Sequence, residues 1–156
     1  MPSRIEQELK QTLPFPRPED EAFVALQRTA DVLLQQLGAV LKPYGLSPAQ
    51  YNVLRILRGA GAAGLACGEI GNRMITRDPD ITRLLDRLER RGLVARSRGD
   101  KDRRVITVQI TPEGLAILTE LAGPLEQLHR QGLGRMGREN LRKLIELLDQ
   151  ARESAG

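Results

Sequence analysis

Apolar residues recur at spacings of three and four through most of the chain, and one short interval alternates instead. Phe23, Leu26, Ala30, Leu33, Leu37 and Leu41 mark one face of a long helix from about Glu19 to Leu41. Before it, LPFPRP (Leu13 to Pro18) reads as non-helical and sets apart a short amphipathic start carrying Ile5, Leu9 and Leu13. Ser47 is placed to cap a second helix, with Pro48 at its first position and Tyr51, Val53, Leu54 and Leu57 facing inward. A shorter helix is expected over GEIGNRMI. Another follows in TRDPDITRLLDRLERRG, with Asp78 as its cap, Pro79 opening it and Gly92 closing it; Ile81, Leu84, Leu85 and Leu88 form its inner face.

The alternating interval comes next. Leu93 to Arg98 and Arg104 to Thr111 read as two strands, and in the second Ile106, Val108 and Ile110 alternate with Val105, Thr107 and Gln109. Between them GDK forms a hairpin tip, where Gly99 supplies turn freedom. TPEG then caps a long helix striped by Leu115, Leu118, Leu121, Leu125 and Leu128, and a last helix carries Leu141, Leu144, Ile145 and Leu148.

This order predicts a mainly α protein with a small β-hairpin wing, that is, a winged helix-turn-helix lobe between flanking helices. A single domain over 1–156 is expected, with the lobe at 47–111 and the flanks at 1–42 and 112–156. The outer stripes are too apolar for a small lobe to cover. Either a second copy of the chain buries them, making the flanks dimerisation helices, or they pack on each other within one chain.

Charge sharpens the picture. Of 156 residues, 28% are charged and only 3% aromatic, and the net charge is +4. Between Leu65 and Thr111 lie 11 Lys/Arg and 7 Asp/Glu, which is the whole excess; the remainder balances at 13 of each. A basic middle in a neutral frame suits a polyanion, although a solvated face also gathers such charges. Thr82, Arg83, Asp86, Arg87 and Arg90 fall on or beside the face opposite the leucines. Thr82 and Arg83 occupy the first turns, where a recognition helix meets base edges; Arg87 and Arg90 suit phosphates. The alternative for these arginines is intrahelical pairing with Asp86 and Glu89. Asp80 can accept from cytosine or, at the second helical position, serve the helix dipole.

Taken together, LSPAQYNVLRIL, EIGNRM, DPDITRLLDRLERRGLVAR and DKDRRVITVQITPEG resemble the MarR (multiple antibiotic resistance regulator) family of bacterial transcription factors. The resemblance is close from about Ser47 to Gly114. It implies a triangular homodimer whose recognition helices enter major grooves of a palindromic operator while the wings reach minor grooves, most often for repression. It also implies that Asp102 orients the wing and Arg104 inserts. The expected DNA-contacting set is Arg77, Asp80, Thr82, Arg83, Arg87, Arg90, Lys101, Arg103 and Arg104. The local alternative for Asp102 and Arg104 is a hairpin salt bridge. One departure stands out: Ala66 occupies a position where family members often have a capping Ser or Thr.

Many relatives bind small aromatic or phenolic ligands between the dimerisation helices and the lobe. By that analogy Leu37, Leu41, Tyr44, Tyr51 and Arg55 line a cleft, unless they serve ordinary packing. Cys67 reads as a small core residue rather than a redox sensor, and His129 as a polar residue near a helix end. One Cys and one His are too few for a dedicated zinc site, so no metal or cofactor is expected. Nucleotide loops and nucleophile elbows are also missing, which argues against an enzyme. No apolar run is long enough for a bilayer and no signal-peptide order opens the chain, so a cytoplasmic protein with no membrane partner is expected. The rival class is a winged-helix protein–protein module, which has no need of Lys101, Arg103 and Arg104 at its tip.

Overall fold

The computed structural model describes residues 1–99, 102 and 104–156. Lys101 and Arg103, both expected to contact DNA, lie outside the described residues, as does most of the expected GDK tip.

The chain opens with a short helix, α1 (Arg4–Glu8), started by a capping box between Ser3 and Glu6. Glu6 is buried. Its carboxylate accepts from the backbone N–H of Ser3 at 2.7 Å and of Phe15 at 2.9 Å, which folds the leading segment back on itself. These bonds, Phe15's first, hold the Glu6 carboxyl below the usual carboxylate range.

The long helix α2 (Pro18–Leu41) begins at a proline that LPFPRP had assigned to the non-helical piece. Proline is tolerated at a first helical position because the N–H it lacks would have no partner there. A 3-10 turn (Lys42–Tyr44) and Gly45 then lead to α3 (Pro48–Ala60), capped by Ser47 as the sequence suggested, with Gln50 completing a capping box that it did not. Val53, Leu54 and Leu57 of α3 are fully buried.

A second 3-10 turn (Gly61–Ala63) precedes a strand the alternation did not reveal, β1 (Leu65–Ala66). At two residues it is too short to show a period. Gly64 makes its entry possible: its φ is +67°, and an added Cβ would collide with the Val108 carbonyl oxygen and lie 2.6 Å from Gln109 Cγ. Helix α4 (Cys67–Arg73) follows and stops before the expected Met74 and Ile75. Ala66 precedes it without a side-chain cap, in line with the weak cap read from the sequence.

After α5 (Ile81–Arg90) come β2 (Val94–Arg98) and β3 (Ile106–Ile110), both shorter than the expected strands. The three strands form an antiparallel sheet in the order β1-β3-β2, so the predicted two-stranded wing carries a third strand at its root. Thr111 caps α6 (Pro112–Gln131); its hydroxyl accepts from Gly114 N–H at 3.1 Å and donates to the Gly92 carbonyl at 2.6 Å. A 3-10 turn (Leu133–Met136) and α7 (Arg138–Ala155) complete the chain.

One buried cluster runs from Leu41 through Leu54, Ile70, Leu85 and Val108 to Leu121, joining the flanking helices to the lobe. The outer stripes divide: Leu118, Leu121 and Leu125 of α6 are buried in this cluster, whereas other apolar residues of the outer helices stay open. Phe23 is 64% and Leu147 60% exposed, Leu26, Leu34, Leu115 and Ile145 are also exposed, and α7 buries no residue. Among the described residues no helix is long and apolar enough to cross a membrane.

Candidate nucleic-acid interface

Helix α5 carries three arginines over an apolar underside. Leu84, Leu85 and Leu88 are buried, while Thr82, Arg83, Arg87 and Arg90 are exposed. Its cap is Asp80, not Asp78. The Asp80 carboxylate accepts from Arg83 N–H at 3.2 Å, and Asp78 accepts from Asp80 N–H at 2.8 Å. Two aspartates flank Pro79, and the chain uses the nearer one, leaving Pro79 outside the helix. Asp80 is therefore engaged with the helix start, in addition to a long 4.0 Å contact with Arg83 Nε. Arg77, in the loop before the cap, is exposed.

The sequence offered Asp86 and Glu89 as partners for Arg87 and Arg90. The structure gives both acids to Arg96 of β2. The Arg96 guanidinium donates to Asp86 Oδ1 and, at 3.0 Å, to Glu89 Oε1, while Arg96 N–H donates to Glu89 Oε2 at 3.1 Å. The guanidinium's bond holds the Glu89 carboxyl below its ordinary range, and the two carboxylates, Glu89's first, raise Arg96. This clamp fixes α5 to the sheet. It also spends the helix's own negative charge, so Arg87 and Arg90 have no ion-pair partner among the described residues.

A second arginine that the sequence did not single out holds the far end. Arg91, one residue past α5, donates from its two terminal nitrogens to the carbonyls of Gly45 and Tyr44, both at 2.7 Å. Neither arginine belongs to a periodic pattern, and each partner lies at least seven residues away, so only tertiary structure reveals the pairs.

The wing is built by the β2–β3 register, Val94 opposite Ile110 through Arg98 opposite Ile106. Gly99 N–H continues the ladder to the Val105 carbonyl at 2.9 Å. Gly99 does not adopt a left-handed conformation; its lack of a side chain matters because a Cβ would sit 3.1 Å from the Asp102 carbonyl oxygen. Asp102 does not salt-bridge the Arg104 side chain among the described residues. Its Oδ1 accepts from Arg104 backbone N–H at 3.0 Å, and its carbonyl accepts from Val105 N–H at 3.1 Å. That turn presents Arg104 exposed at the hairpin's end.

Behind the lobe, a cleft of about 800 Å³ opens between α2, α3, α6 and the segment after α4. Leu37, Tyr51 and Arg55 line it as expected from the resemblance, with the Arg55 guanidinium 5.8 Å from the Tyr51 ring centre. Leu41 and Tyr44 do not. Leu41 is fully buried in the core, and Tyr44 packs against that core while its carbonyl serves Arg91. His129, read as a helix-end polar residue, lines the cleft together with Arg58 and Glu126. Cys67 is half-buried in the first turn of α4, and no three of His, Cys, Asp and Glu gather as a metal site among the described residues.

The MarR family model matches residues 46–106. The homoprotocatechuate degradative operon repressor of Escherichia coli is 26% identical over 131 residues, 84% of this chain and 87% of that protein. The crystal structure of a MarR transcription factor from Planctomyces limnophilus is 39% identical, with a TM-score of 0.67 over 87% of this chain and 98% of that one. The transcriptional repressor CouR, solved bound to a 23-mer DNA duplex, is 28% identical, with a TM-score of 0.77 over 91% of this chain and 99% of that one. With an exposed basic helix, a wing beside it and relatives matched over nearly their whole length, this chain belongs to the MarR family and is a DNA-binding transcriptional regulator.

Proposed function

We propose that the chain works as a homodimeric repressor on a palindromic operator, in the cytoplasm where the DNA is. In this reading residues 47–111 form the DNA-binding lobe and 1–42 with 112–156 the dimerisation helices. Thr82 and Arg83 read base edges in the major groove, and Arg77, Arg87 and Arg90 meet phosphates. Arg104 enters the minor groove beside Lys101 and Arg103, aimed by Asp102. Asp80 acts by capping α5 more than by touching a base.

The observation that carries this reading is the exposed row Arg83, Arg87 and Arg90 on a helix whose acids are both engaged by Arg96. Arg87 and Arg90, with no ion-pair partner among the described residues, suit the phosphates of a duplex. Dimerisation is supported by the apolar faces of α2 and α7 that one chain leaves open. The cleft lined by Leu37, Tyr51 and Arg55 suits a small aromatic or phenolic ligand, whose binding releases the operator.

Selection of bound sequences from random duplex DNA tests the reading. A two-fold symmetric site with half-sites about one helical turn apart is expected. Enrichment of no sequence, with binding that vanishes at moderate salt, would favour the protein–protein module.

A further inference from the structure

The reading edge of α5 depends on the loop that delivers it. Met74 ends α4 and Asp80 caps α5, so Ile75 to Asp80 set where Thr82 and Arg83 stand. Most of this loop's hydrogen bonds are local: Asp80 N–H reaches Asp78, and Asp80 in turn caps the helix. Among the described residues a single hydrogen bond ties the loop to an element other than the two helices it joins. Ile75 N–H donates to Asn52 Oδ1 of α3 at 2.8 Å.

Asn52 is half-buried on α3, directly before Val53 and Leu54, which are fully buried. Its backbone is thus anchored in the core while its amide oxygen faces the loop. Ile75, by contrast, is 82% exposed. Met74 before it is buried in the core and anchors the chain there, and the bond to Asn52 adds the directional tie that Ile75's own side chain does not supply. Asn52, Ile75 and Thr76 also line the cleft. The tether therefore lies in the cleft wall, where an occupant meets it.

We infer that Asn52 is a positioning residue for base reading, fixing the start of the recognition helix through the Ile75 amide. The inference rests on the reading of α5 as the base-contacting helix. Base-edge hydrogen bonds need their donors held to within fractions of an ångström, whereas phosphate attraction tolerates displacement. Loss of the tether therefore reduces specific binding and leaves non-specific binding unchanged.

The test titrates wild type, Asn52→Ala, Asn52→Asp and Arg83→Ala against the selected operator and a scrambled duplex. Asn52→Ala is expected to lower the specific-to-nonspecific affinity ratio about tenfold for a two-lobed dimer. Asn52→Asp keeps an acceptor at the same place and is expected to restore the ratio; a defect of folding alone would not sort the two variants this way. Amide hydrogen exchange on the wild-type protein supplies a readout free of substitutions. The Ile75 amide is expected to exchange more slowly than the Thr76 and Arg77 amides beside it. An unprotected Ile75 amide overturns the inference, as does an unchanged ratio in Asn52→Ala when Arg83→Ala has lost specificity. If Arg83→Ala itself keeps full specificity, the reading of α5 fails and the Asn52 assignment falls with it.

Discussion

The guanidinium of Arg96 on β2 bonds the carboxylate of Asp86 on α5, joining the wing sheet to the proposed recognition helix. The Arg96 side chain is 24% exposed and Asp86's is 42%, so the pair is partly screened. Its consequence is as much electrostatic as structural. Removing Arg96 frees Asp86, which lies three and four residues from Arg83 and Arg90 and can then pair with either, and leaves the Glu89 charge uncompensated on the same helix. Arg96→Ala is expected to destabilise the fold by about 1–2 kcal/mol and to weaken binding to any duplex, while Arg96→Lys recovers part of both. Urea denaturation and DNA titration check this. Unchanged DNA affinity would mean that Arg83 and Arg90 do not depend on the clamp.

The same clamp has a defined pH dependence. The Glu89 carboxyl is held below its ordinary value, first by the bond from Arg96. A group with a depressed folded pKa contributes stability above its unfolded value, and that contribution is lost as pH falls through the folded one. The stability difference between wild type and Arg96→Ala is therefore expected to hold steady at neutral pH. It should shrink on acidification below about 4.3, the ordinary glutamate value. Denaturation curves at several pH values measure it, and a gap that widens in acid would contradict the assignment.

The long helices were legible in the sequence because their apolar periods run for several turns, and the β2–β3 hairpin because Ile106, Val108 and Ile110 alternate. Two-residue β1 carries no period. The sequence points to Asp78 as the cap of α5 because Pro79 suits a first helical position, but the backbone N–H of Arg83 bonds Asp80, and Pro79 stays outside the helix. Arg91 and Arg96 look like any surface arginines until their distant partners are known. Leu41 and His129 exchanged roles for a similar reason: which face of α2 or α6 borders the cleft depends on how the helices cross.

Leu147 tests the proposed dimer. It is 60% exposed on α7, a helix with no buried residue. A helix with only partial packing is marginal by itself, and in the proposed dimer the partner covers its apolar face. Leu147→Arg is expected to shift the chain toward monomer in sedimentation at micromolar concentration. Operator affinity should fall steeply, because each lobe alone gains only one half-site. A monomeric wild type would remove the basis for a palindromic operator.

The wing offers the most discriminating substitution. Asp102 is bonded through Oδ1 to the backbone N–H of Arg104, not to its guanidinium. If that bond sets the wing, the acceptor matters and the charge does not. Asparagine offers the same acceptor oxygen, so Asp102→Asn is expected to bind operator at least as well as wild type, with a slight gain from the lost negative charge. Asp102→Ala removes the acceptor and frees the turn, and is expected to weaken binding despite the same gain in net charge. Arg104→Ala should lower the slope of log affinity against log salt by about one per subunit, whereas neither Asp102 variant should lower it. All three are titrated against one operator duplex across a salt series, with circular dichroism to verify folding. Tighter binding by Asp102→Ala than by wild type would reduce Asp102 to a diluting charge. Equal losses in Asp102→Asn and Asp102→Ala would restore the salt bridge as the feature that aims the wing.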